Sequence, residues 1–174
     1  MRRKSAQSRR ETNGSVLEYP RRMKLAEALL LRSDLQKKIA SLRERVVANA
    51  VVQEGEAPHE APDDLLKEAF GALSTLEDLV SRVNKTNLAA KLPDGRTMTD
   101  AIAHRDKLAQ QHALLQATVA GCRKEPARYG VREIKWKATL DVAKLQKQMD
   151  DLAKSIRELN AAIQQTNWGV DLVG

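Results

Sequence analysis

The chain has 174 residues, of which 42% are hydrophobic, 30% charged and only 3% aromatic, and its formal charge is +7. That length sustains one domain with a real core, whereas two independent domains would each be marginal. Scarce aromatics beside abundant Leu and Ala point to long amphipathic helices and exclude a β-sandwich or a doubly wound sheet as the main architecture.

No run approaches the roughly 18 apolar residues that span a bilayer, so a soluble protein without a membrane partner is expected. Cys122 is the single cysteine. An intrachain disulfide is therefore impossible, and a reducing cytoplasm is the natural location. Ser8-Arg9-Arg10 resembles part of a twin-arginine export signal, but Glu11-Thr12-Asn13-Gly14 follows where such a signal needs an apolar region.

Residues 1–22 carry seven Arg and Lys against Glu11 and Glu18, and so hold most of the net charge. They lack an apolar period and are rich in Ser, Gln, Asn and Gly, the composition of a disordered basic extension preceding a single helical domain over 23–174. Two readings of this arm stand. Either Met23 is the functional start, or Arg2, Arg3, Lys4, Arg9 and Arg10 contact nucleic-acid phosphates.

From Lys24 to about Gln53, Leu31, Leu35, Ile39, Leu42 and Val46 recur at steps of four and three, which predicts a helix about 45 Å long. Gly55, Pro58 and Pro62 end it. His59 lies among Glu54, Glu56, Glu60, Asp63 and Asp64, a solvated acidic turn rather than a closed metal site. Asp63 and Asp64 suit the first turn of a second helix over 63–90. Its seam reads Leu66, Ala69, Leu73, Leu76, Val80, Val83 and then Asn87. A buried Asn on such a seam fixes register and partner number, although the helix end could equally fray there. Leu92-Pro93-Asp94-Gly95 is a turn signal.

Thr97 to Asp100 form a capping box that opens a third helix over 98–121. It carries Ile102, Leu108, Leu115 and Val119 together with His104, Arg105, Asp106 and His112. The two histidines are about two turns apart, too far to share an ion. After a loop at 125–130, residues 131–140 alternate through Ile134, Trp136, Ala138 and Leu140, the period of a half-buried strand. Between Asp141 and Trp168 the seam Val142, Leu145, Met149, Leu152, Ile156, Leu159, Ile163, Thr166 predicts the longest helix, which requires a partner along its length. Trp168, Val170 and Leu172 alternate again as a weaker strand.

Met23 to Leu29, Arg82 to Asn87, Asp94 to Thr97, Arg105-Asp106 and Asn167-Trp168 together resemble a family of small bacterial helical proteins, common in actinobacteria and labelled septicolysin-like or of unknown function. The resemblance covers about Met23 to Leu172 and implies a helical protein whose polar segments sit at helix ends. The inherited label would imply a thiol-activated cytolysin. That class needs large β-rich domains and a tryptophan-rich loop, which two Trp and one Cys do not supply.

The resulting expectation is a mainly α fold: an extended antiparallel bundle of two coiled-coil-like helical hairpins, 24–53 with 63–90 and 98–121 with 141–166, carrying a short β-ribbon from 131–140 and 168–173. A homo-oligomer is expected, with ribbon contacts through Ile134, Trp136, Leu140, Val170 and Leu172. No acid–base pair, phosphate loop, nucleophile elbow or metal spacing argues for an enzyme or a cofactor. If a polar site exists, it gathers Asn84, Asn87, Arg105, Asp106, Asn167 and Trp168 where helix ends meet.

Overall fold

A computed structural model describes residues 22–123 and 137–174. Four helices account for most of them: α1 Leu25–Ala48, α2 Pro62–Ala89, α3 Met98–Arg123 and α4 Val142–Gly169. Local chemistry sets their starts. The Lys24 N–H donates to the Glu27 carboxylate at 2.7 Å, and Pro62 occupies the first turn of α2 beside Asp63 and Asp64. Thr97 Oγ1 accepts from Asp100 N at 3.1 Å, and Asp141 accepts from Lys144 N at 3.0 Å. Each arrangement satisfies or complements backbone N–H groups that a helix start leaves without a partner.

α1 packs on α2 and α3 on α4 along their lengths. The first pair is antiparallel, as the bridges Lys38–Glu68 at 2.7 Å and Arg45–Glu60 show. Asn49 closes this hairpin near its tip. Its Nδ2 donates to Arg45 O at 2.9 Å while its Oδ1 accepts from Glu60 N at 3.1 Å. The two hairpins touch each other over a much smaller surface. That surface lies where α1 and α3 begin and α2 and α4 finish, around Leu25, Ala28, Val83, Met98, Ala101, Ile163 and Leu172, all buried.

The expected ribbon is not shown. Of 131–140 only 137–140 are described, and they form no strand, while Ile134 and Trp136 lie outside the described residues. Trp168 and Gly169 belong to the last turn of α4. The following segment pairs elsewhere: Leu25 N donates to Val170 O at 2.9 Å and Leu172 N to Met23 O at 2.8 Å. Its hydrogen-bonding edge is thus taken by the chain entering α1, and Leu172 is buried in the core.

The same device occurs at α3, where Met98 N donates to Ala90 O and Leu92 N to Arg96 O, both at 2.9 Å. This correspondence exposes an internal repeat. Leu25, Ala28, Arg32, Leu35, Leu42 and Val46 of α1 match Met98, Ala101, Arg105, Leu108, Leu115 and Val119 of α3. Leu65, Leu79, Val83, Thr86 and Asn87 of α2 match Leu145, Leu159, Ile163, Thr166 and Asn167 of α4 in the same way. The chain is one hairpin plan used twice, with each hairpin's exit segment laid on the other's entry.

The α4 seam falls as its period predicts, from half-buried Val142 to buried Leu159, Ile163 and Thr166. In α2 the expected positions Ala69, Leu76 and Val83 are half-buried or buried, whereas the others shift by one residue, from Leu66, Leu73, Val80 and Asn87 to the buried Leu65, Ala72, Leu79 and Thr86. The doublets Leu65-Leu66, Ala72-Leu73 and Leu79-Val80 satisfy two frames with the same spacing, and period alone does not choose between them. Thr86, not Asn87, is therefore the fully buried polar group.

The Thr86 hydroxyl donates to Arg82 O at 2.8 Å and accepts from Val173 N at 3.1 Å. Thr166 makes the first of these bonds, to Ala162 O at 2.9 Å, but the counterpart of Val173 is Pro93, which has no N–H. Thr86→Val should accordingly lower stability by about 1 kcal/mol, and Thr166→Val by less than about half of that. Chemical denaturation of the two variants measures the difference.

Candidate functional site

The helix ends that carry the expected polar cluster do converge, yet the six side chains do not form a connected network. Arg105 and Asp106 bond to each other, through Arg105 Nε and Nη2 to Asp106 Oδ1 at 3.0 and 2.6 Å. Asn84 is exposed, Asn87 half-buried and Trp168 55% exposed. Asn167 is 5% exposed, and no hydrogen bond joins it to another member of the set. Arg105 occupies a heptad position of α3 between Ala101 and Leu108, as Arg32 does in α1.

Of the expected ribbon contacts, Leu140 is 49% exposed while Val170 is half-buried and Leu172 buried against the start of α1. Arg2, Arg3, Lys4, Arg9 and Arg10 lie outside the described residues. Among the described residues no group of His, Cys, Asp or Glu is placed to hold a metal ion, and none of the helices is long and apolar enough to cross a membrane.

A groove that periodicity did not indicate lies between α3 and α4. It is open to solvent, has a volume of about 290 Å³ and is lined by Asp94, Arg96, His104, Leu108, Ser155, Glu158, Leu159 and Ala162. The turn before α3 supplies its rim. Gly95 adopts φ +86°, a left-handed conformation open to glycine at little cost, and its N–H donates to Leu92 O at 2.9 Å. This turn folds Arg96 back on Asp94, with Nε and Nη2 donating to Asp94 Oδ2 at 2.9 and 2.5 Å and the Arg96 N–H donating to Oδ1 at 3.1 Å.

Leu108 and Leu159 form an apolar floor and Ala162 leaves it open, while His104, Ser155 and Glu158 bring polar groups to the walls. Seen as a sequence, Asp94-Gly95-Arg96 is only a turn and Glu158 only one of several carboxylates on a solvated face. The missing signal was the repeat, which shows where the two hairpins differ.

The Arg96 side chain, and after it the Arg96 backbone N–H, hold the Asp94 carboxyl below its ordinary range. Such a group stabilises the fold above the unfolded carboxylate pKa, about 3.9, and that contribution is lost as pH falls through the lower folded value. Arg45 lowers Glu60 in the same sense at the hairpin tip. In Arg96→Ala the Asp94 titration midpoint should rise toward the ordinary value with Glu60 unmoved, measured by carboxyl-carbon NMR over the acid range.

No curated protein matches the chain. A crystal structure described as a functionally unknown conserved protein from Corynebacterium diphtheriae is similar to it at 35% identity with a TM-score of 0.80. The match covers 87% of this chain and 99% of that one. Neither comparison carries a septicolysin description. The model of a family of unknown function, DUF6847, matches residues 32–172, and the chain belongs to that family.

Proposed function

We propose that the protein is a cytosolic helical scaffold that assembles with copies of itself through the outward face of α2. The supporting observation is a second apolar stripe on that helix. Leu66, Phe70, Leu73, Val80 and Leu88 follow steps of four and three turned away from the α1 seam, interrupted by Glu77 and Asn84. Leu66, Phe70, Leu73 and Leu88 are 37%, 62%, 44% and 66% exposed.

The repeat supplies an internal control. At the corresponding positions α4 carries Gln146, Asp150, Ala153, Asn160 and Trp168, so the hairpin plan does not require apolar groups on this face. Full burial of each large side chain is worth about 1.5–3 kcal/mol, and heptad spacing fits a helix of the same supercoil. The partner is α2 of a second copy, because an isologous pair brings one patch against itself and closes without leaving a further sticky face. Asn84 then lies on the shared seam as a polar group that sets register.

Light scattering on the purified full chain over micromolar concentrations tests this reading. A dimeric mass is expected, with Phe70→Glu monomeric and its far-UV circular dichroism unchanged. A monomeric wild-type chain throughout that range overturns it.

A further inference from the structure

Because the two hairpins share one plan, each shows what fills a given position in the other. Arg82 of α2 corresponds to Ala162 of α4. Arg82 is half-buried, and its Nε donates to Val173 O at 2.9 Å. Its guanidinium thus reaches the exit segment after α4, which corresponds to the Pro93-Asp94 turn after α2. In the second hairpin the side chain stops at Cβ of Ala162, and this is where the groove opens.

The rest of the surroundings separates into what is kept and what is changed. Leu35 and Leu79 match the floor residues Leu108 and Leu159. Asp78 matches Glu158, so a carboxylate is kept, and Thr75 matches Ser155, so a hydroxyl is kept. Leu31 is replaced by His104, which adds a polar ring to the wall. The second hairpin therefore lacks the internal arginine but shares the floor and the acidic wall beside it.

We propose that this groove binds a guanidinium group carried by a ligand, in the place that Arg82 fills internally in the first hairpin. Charge favours a cation. Among the described residues that line the groove, Asp94 and Glu158 stand against one guanidinium, that of Arg96, with the His104 imidazole also on the wall, and both side-chain nitrogens through which Arg96 bonds already reach Asp94. An incoming anion would have to displace that pair. Lys154, the cation bridged to Glu158, stands 4.0 Å away, beyond hydrogen-bond reach, so the Glu158 carboxylate still has acceptor positions for a planar donor. The floor of Leu108 and Leu159 suits the methylene stem that accompanies a guanidinium. A space of about 290 Å³ lies just below the range of drug-sized ligand sites, which begins at about 300 Å³, and is ample for a group as small as a guanidinium. The inference concerns the second hairpin and does not depend on assembly through α2.

The test is an amide NMR titration of the full chain with methylguanidinium and, separately, with N-acetyl-L-arginine amide. Saturable shifts at millimolar concentration are expected around Asp94 to Leu108 and Ser155 to Ala162. Response to both probes identifies the guanidinium alone as the recognised group, whereas response to the amide alone identifies an arginine within a peptide; either supports the site.

Ala162→Arg should abolish the shifts while keeping the wild-type denaturation midpoint, since Arg82 already stands at the matching position. Glu158→Gln should weaken binding about tenfold, and it keeps the test decisive if the arginine variant does not fold. The proposal is overturned if neither probe binds or if acetate moves the same amides at lower concentration. It is also overturned if binding survives in a folded Ala162→Arg protein or is unchanged in Glu158→Gln.

Discussion

Four backbone hydrogen bonds organise this molecule. The N–H groups of Leu25 and Met98, the first residues of α1 and α3, are donors that a helix cannot satisfy from within. They are met by the carbonyls of Val170 and Ala90, where α4 and α2 have just ended, and Leu172 and Leu92 return the bond to Met23 and Arg96. Each helix start thus meets a helix finish, which also places opposite ends of the helix dipoles together. Everything else follows from this junction. The core gathers there, and the turn carrying Asp94 and Arg96 is held beside α3 and α4.

Helix positions were legible because their determinants are local. Apolar spacing, the Thr97 capping box, Asp141 and the two proline-rich breaks place the four helices within a few residues, apart from the C-terminal end of α1, which stops at Ala48 rather than near Gln53. Facing was less legible. In α2 the adjacent doublets support two seams, and α1 selects the one through Ala72 and Thr86. The second strand was misread because Val170 and Leu172 do alternate, but their partner is two residues at the far end of the chain, a pairing no local pattern encodes.

The candidate site was hidden for a different reason. Its residues come from a turn and two helices, and none carries a motif. Weak similarity between the halves was the readable clue. Thr86-Asn87 and Thr166-Asn167 end equivalent helices, and aligning on them sets Arg82 against Ala162 and Phe70 against Asp150. Those are positions where a shared scaffold has been given two different surfaces. A duplicated fold thereby separates the residues that hold the hairpin together from those that are free to acquire another task.

The clasp at the tip of the first hairpin has its own consequence. The Glu60 backbone N–H donates to the Asn49 side chain, and Arg45 bonds to the Glu60 carboxylate. The residues between them hang from a closed base, so the helices do not sense the length of the connection. Doubling such a loop costs only about 0.6 kcal/mol in closure entropy. The tip is therefore a tolerant insertion point, where a peptide or a small domain could be displayed at the end opposite the junction without disturbing either.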